Sequence, residues 1–252
     1  SWRIVAPVGV STKRGEDHTR TYEDGQNSHD SQWEQGDNFS AHLSLSATKL
    51  FDKDLVARKE WWEDDGTNFG GDARNGSLET VDLFFSHTHG NAPNDTAEWE
   101  MWDTGEAAQS KNMRLGDDRL GLSVLATVSC QVLKWDAFTV TRWEPVFMGT
   151  LRIALGSHDT FPCSEHEYWT AAKFADRMHE GWSIKASWHS GMGWSEGEAD
   201  SAALVTGTNE THCFDRLDHM TWYNLDTYKR LGNGPRAEDI INCWCISRVA
   251  NG

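Results

Sequence analysis

The sequence predicts an α/β protein built on a mostly parallel central sheet. Three observations carry that reading. First, three short apolar runs are bounded by polar residues, as strands buried on both faces are: Val81-Asp82-Leu83-Phe84-Phe85-Ser86, Leu122-Ser123-Val124-Leu125-Ala126-Thr127-Val128-Ser129 and Leu151-Arg152-Ile153-Ala154-Leu155. Second, segments of ~20–40 residues separate them, long enough for crossovers between parallel neighbours. Third, each run ends in side chains that can do chemistry: His87 and His89, then Cys130, then His158 and Asp159.

The remaining elements follow in chain order. Residues 2–10 (WRIVAPVGV) read as a strand, and residues 11–40 as a long polar surface segment with Gly15, Gly25 and Gly36. Residues 41–63 carry mixed apolar spacing ending in Trp61-Trp62, which predicts at least one helix; residues 64–79 are turn-rich. A polar loop, with room for a short helix, is expected over 91–119. Ser164-x-x-Glu167 forms a capping box before a helical stripe of Tyr168, Ala171, Ala172, Phe174, Ala175 and Met178, and Gly181 supplies the stop. Ile184–Trp188 starts a further helix, and Asp239–Val249 reads as a final strand. No repeat or linker divides the chain, so residues 1–252 are expected to form a single domain.

Composition narrows the function. The chain has 23 Lys and Arg against 39 Asp and Glu, a net charge of −16. That sign speaks against nucleic acid, whose phosphates need a basic face, and against an anionic membrane surface. No apolar run has the ~20 residues of a membrane helix. Fourteen Trp speak against disorder. The opening Ser1-Trp2-Arg3 is neither a secretory leader nor an initiator Met, which predicts a trimmed N-terminus. Sequons stand at Asn38, Asn75, Asn94 and Asn209, a mild excess that leaves the compartment open between cytoplasmic and secreted. Five Cys leave one thiol over. Two readings fit: two disulfides among Cys163, Cys213, Cys243 and Cys245 with Cys130 free, or five reduced thiols. Cys243-Trp244-Cys245 lacks the Cys-x-x-Cys zinc spacing, so no structural metal is expected.

In a parallel sheet, ligands bind beyond the carboxyl ends of the strands. If the three runs are neighbours, His87, His89, Cys130, His158 and Asp159 converge on one edge. A thiol beside an imidazole is a nucleophile beside a base. Gly90 permits close backbone approach, so its N–H suits an oxyanion. A strand ending in His89-Gly90, then ~40 residues later a strand ending in Ser129-Cys130, resembles the caspase/legumain/gingipain clan of cysteine peptidases. The run Ser129-Cys130-Gln131-Val132-Leu133, with Trp143, Phe147 and Leu151–Gly156, also resembles a little-characterised group of microbial caspase-like domains of unknown function. The likeness spans about residues 80–190. It implies a caspase-like three-layer sandwich, a dyad of His89 and Cys130, and oxyanion donors from the N–H groups of Gly90 and Cys130. The Gln-Ala-Cys-x-Gly pentapeptide of caspases proper is absent, so their aspartate specificity does not carry over.

The substrate expected is a peptide or amide, contacted by His87, His158, Asp159, Trp135 and Trp188; Asp159 suggests a basic or polar substrate side chain. Two rival readings stand beside this one. His87-Thr88-His89 could share a metal, but Gly90, Asn91 and Ala92 follow where metallo-β-lactamase-like hydrolases place an acid and a third His, so no metal and no cofactor are expected. Alternatively, Trp135, Trp143, Trp169, Trp182, Trp188 and Trp194 could wall an apolar pocket. The protein would then be a non-hydrolytic biosynthetic cyclase or isomerase acting on a small molecule.

Overall fold

The computed structural model describes residues 42, 62–63, 82–100, 107–115, 122–149, 151–160, 168–193, 200–232 and 238–249. The expected strand at 2–10, the polar segment 11–40, most of the 41–63 helical region, the 64–79 turn, the Ser164/Glu167 capping box, Cys163 and Trp194 lie outside these residues.

Eight strands are described: β1 (Leu83–His87), β2 (Gly90–Asn91), β3 (Glu98–Glu100), β4 (Ala107–Gln109), β5 (Val124–Val128), β6 (Ile153–Ser157), β7 (Ser201–Gly207) and β8 (Cys243–Val249). Four helices accompany them: α1 (Thr139–Trp143), α2 (Tyr168–His179), α3 (Ile184–Met192) and α4 (Glu210–His219). No described helix is long and apolar enough to cross a membrane.

The main sheet runs β1-β5-β6-β7-β8. The three sequence-predicted strands are neighbours and parallel, with Leu83 opposite Val124 and Val124 opposite Ile153. The sheet is nonetheless mixed rather than mostly parallel: β7 is antiparallel to β6, and β8 to β7. The connection explains the reversal. Helices α2 and α3 fold back on each other, with Gly191 so close that a Cβ there would lie 2.8 Å from the Thr170 carbonyl. Two passes return the chain to the edge that β6 left, where the His158 N–H donates to the Asp200 carbonyl at 2.7 Å. The next strand can then only run back.

Both sheet faces are covered, which is why β1, β5 and β6 read as continuous apolar runs. On one face Phe84, Leu125, Ala154 and Leu204 pack with Trp62, Trp99, Trp143 and Phe147. On the other, Phe85, Ala126, Leu155 and Val205 pack with Phe174, Met178 and Trp188 of α2 and α3. Successive strand residues alternate between the two cores, as the period of two requires. The stop expected for α2 is present: Gly181 has φ +86°, the Trp182 N–H reaches the Arg177 carbonyl and the Gly181 N–H that of Met178, a Schellman ending.

Among the described residues of 91–119, the short helix allowed for is present as a 3-10 turn at Ser110–Asn112. The rest is not plain loop: β2, β3 and β4 form a small antiparallel sheet that brings Trp99 into the first core.

His189 of α3 ties this helix to the sheet. Its Nδ1 lies 2.6 Å from Ser201 Oγ and its Nε2 3.0 Å from Ser247 Oγ. Burial, then the Lys185 charge, pulls its pKa down to about 4. The fold therefore prefers the neutral ring. That preference stabilises fully above the unfolded pKa of about 6.5 and is lost as pH falls toward 4, by up to about 3 kcal/mol. Asp82 acts oppositely, its pKa raised to about 6 by burial and Asp226 against the pull of Arg152, so it favours folding on acidification. The readout is thus a difference: His189→Gln should flatten the stability–pH curve between pH 6.5 and 4 relative to wild type. Parallel curves would show that the ring does not titrate with unfolding.

Candidate active site

The parallel register of β1, β5 and β6 sets their carboxyl ends side by side. From β1 the chain continues beside β5, with the Thr88 N–H donating to the Val128 carbonyl at 3.1 Å. It then turns into β2, where Gly90 lies against the end of β5. A Cβ on Gly90 would stand 2.8 Å from the Cys130 carbonyl oxygen, 2.8 Å from Ser129 Cβ and 2.7 Å from Val132 Cγ1. His89-Gly90 and Ser129-Cys130 therefore abut, and only glycine allows the approach. Gly90→Ala is expected to cost about 1–3 kcal/mol through overpacking. An unchanged denaturant midpoint would contradict this contact.

Cys130 is half-buried at the margin of the helical-face core. The next residue, Gln131, has φ +58°, the one positive value for a non-glycine among the described residues. Its N–H donates to the Asp159 carbonyl at 2.9 Å, and the Leu133 N–H to that of Ser157 at 3.0 Å, so the turn after Cys130 is tied to the end of β6. Left-handed backbone at a non-glycine costs of order 1–3 kcal/mol and concentrates at functional sites. Beneath Cys130 on the opposite face, Trp99 Nε1 donates to Thr127 Oγ1 at 3.1 Å, and Thr127 Oγ1 lies 2.7 Å from Ser129 Oγ.

His89 is partly buried. Burial lowers its pKa, opposed in part by the Glu100 carboxylate. Its carbonyl accepts the Glu100 N–H at 3.0 Å, and Thr88 Oγ1 donates to the Glu100 carbonyl at 2.8 Å. The neutral ring can accept a proton, and a thiolate beside it would in turn stabilise the imidazolium so formed.

The other expected site residues divide. His158 sits on this edge, its Nδ1 accepting the Trp135 N–H at 2.8 Å while Arg248 Nη1 lies 2.6 Å from its Nε2. Burial and then the Arg248 charge hold His158 below the ordinary histidine range. Asp159 is exposed, its Oδ1 accepting the Thr160 N–H at 2.7 Å. Trp135 is 46% exposed at the same rim. Trp188 is instead fully buried in the helical-face core, its Nε1 bonded to the Gly156 carbonyl at 3.0 Å and its ring edge-on to Phe174. His87 ends β1 opposite Val128, and its side chain lies outside the described groups.

Arg142 was not foreseen. It is fully buried on α1, pairs with the Asp136 carboxylate, and donates to the Lys134 carbonyl at 2.8 Å and the Pro93 carbonyl at 3.2 Å. It thereby joins the segment after Cys130 to the segment after His89. No local pattern around residue 142 announces a contact 49 residues away.

The disulfide reading is not borne out: Cys130, Cys213, Cys243 and Cys245 form no disulfide. Cys213, Cys243 and Cys245 form a cluster that the sequence reading missed.

No curated protein matches the chain. A family model does match, over residues 17–240, and this chain belongs to that family, DUF6345, a domain of unknown function.

Proposed function

We propose that this protein is a cysteine-dependent hydrolase or acyl-transfer enzyme acting on a peptide or amide, with a caspase-like arrangement of its sheet. The observation that carries the reading is the abutment of His89-Gly90 and Ser129-Cys130 at the carboxyl ends of two neighbouring parallel strands. The left-handed turn at Gln131 adds to it, because strain is retained where the surrounding structure holds it in place.

In this mechanism His89 takes the thiol proton of Cys130. The Cys130 sulfur attacks the substrate carbonyl, and the N–H groups of Gly90 and Cys130 hold the oxyanion. Collapse breaks the C–N bond, and the amine leaves with the proton from His89. The resulting thioester passes its acyl group to water, or to an amine acceptor, and the thiol is restored. Arg142 positions the two segments without touching substrate. Trp135 and Asp159, both exposed, would contact the substrate chain in this mechanism.

The cyclase alternative draws less support. Trp143 and Trp188 fill the two cores, and Trp135, Trp169 and Trp182 are exposed, which leaves no described Trp wall for an apolar ligand.

The test is labelling with a peptidyl acyloxymethyl ketone, which alkylates an active thiol, followed by peptide mapping. The adduct is expected on Cys130 and should be absent from Cys130→Ala. Labelling confined to other cysteines would refute the proposal.

A further inference from the structure

At the other end of the sheet, three cysteines meet. Cys243 and Cys245 alternate along β8 and so face the same side. They pair with Gly207 and Val205, whereas the dyad edge is marked by Ser201 opposite Ser157. Cys213 comes from the first turns of α4, which lies directly on β7: a Cβ on Gly207 would stand 2.7 Å from the Cys213 nitrogen and 2.9 Å from its Cα. Glycine at 207 lets the helix settle and brings its thiol to the strand pair. The three sulfurs lie within 4.8 Å of one another. Three sulfurs bound ~2.3 Å from one ion in a plane would be ~4 Å apart, so a small contraction suffices.

One further observation points to an ion rather than to packing alone. Arg216, one turn beyond Cys213 on α4, is fully buried; its Nε and Nη2 donate to His212 and to the Lys229 carbonyl, while its Nη1 has no hydrogen-bond partner. A buried cation of this kind calls for negative charge beside it. Asp239 supplies part of that charge; neutral thiols add none, whereas metal-bound thiolates do. The imidazole next in the chain, His212, is engaged elsewhere, with Nε2 accepting from Arg216 Nε at 3.1 Å and Nδ1 3.1 Å from Thr208 Oγ1. Among the described residues the donor set is therefore three sulfurs.

We propose that Cys213, Cys243 and Cys245 form a site for monovalent copper. Soft thiolates select this ion, and it accepts three-coordination. Zinc prefers four ligands and would need a water, in a place where Cys213 and Cys245 are buried and only Cys243 is half-buried. Binding replaces the three thiol protons, which go to solvent, by one Cu⁺. The thiolate cluster keeps a net negative charge beside Arg216. No oxidation is involved, because the copper enters already reduced.

The test is titration of the full-length, anaerobically reduced protein with Cu⁺ held by a competing chelator. One equivalent should bind, with a thiolate-to-copper absorption band. Cys213→Ser and Cys245→Ser should each weaken binding at least 100-fold, while Cys130→Ser should leave it unchanged. Gly207→Ala keeps every thiol but lifts α4, and should weaken binding too. Undiminished binding in Cys213→Ser and Gly207→Ala would overturn the site. So would tighter Zn²⁺ than Cu⁺ binding, or a disulfide among the three in protein prepared without oxygen. None of these outcomes bears on Cys130.

Discussion

Alanine in place of Trp143 is expected to destabilise the fold by about 3–5 kcal/mol, the range for removing a fully buried large aromatic. Trp143 is completely enclosed, stands edge-on to Trp99 with centroids 5.9 Å apart, and meets Phe147 at 6.3 Å. Its Nε1 donates to the Val132 carbonyl at 3.0 Å, so the substitution also orphans a buried acceptor. The damage would extend to the candidate site. Val132 follows Cys130 by two residues, and its methyl groups are the atoms that a Cβ on Gly90 or Gly156 would strike at 2.7 Å. Trp169, at 59% exposed, provides the control: its alanine variant should stay within about 0.5 kcal/mol of wild type. Denaturant midpoints of the two variants check both expectations, and a loss below about 1 kcal/mol at Trp143 would contradict the described core.

Cys130→Ala is expected to lower turnover of a processed peptide or amide by at least ~10⁴-fold, the scale seen when a covalent nucleophile is removed. His89→Ala should cost nearly as much, and the double variant little more than either, because the two groups act in one step. The stability of Cys130→Ala should change little, since the thiol sits at the margin of a core rather than inside it. Turnover that survives either substitution within tenfold would place the chemistry elsewhere. Additive losses in the double variant would show that the two residues do not act as a unit.

What was legible in the sequence was what burial writes locally. The runs around Leu83, Val124 and Ile153 are apolar throughout because both faces of those strands are covered, and their polar ends lie at one edge because the strands are parallel neighbours. The α2 stripe and its Gly181 stop were legible for the same reason. The small sheet was not: strands of two or three residues, such as Gly90–Asn91 and Glu98–Glu100, are too short to show a period. The direction of β7 is set by the number of helical passes before it, which no residue within Ser201–Gly207 encodes. The thiol cluster shows the limit most clearly. Cys243-Trp244-Cys245 fails a spacing rule written for loops, yet on a strand the same spacing places both sulfurs on one face, and Cys213 reaches them only through the seating of α4.

The central claim is that Cys130 is an activated thiol beside His89. The measurement that tests it most directly is the iodoacetamide rate of each cysteine across pH on the native protein, located by peptide mapping. Cys213 and Cys245 are expected to react slowly, because burial raises their pKa values. Cys130 should react fastest, with an apparent pKa below the ~8.5 of a free thiol, and His89→Ala should slow it and move that pKa upward. A Cys130 that resists alkylation until the protein unfolds, or one indifferent to His89→Ala, would contradict the account.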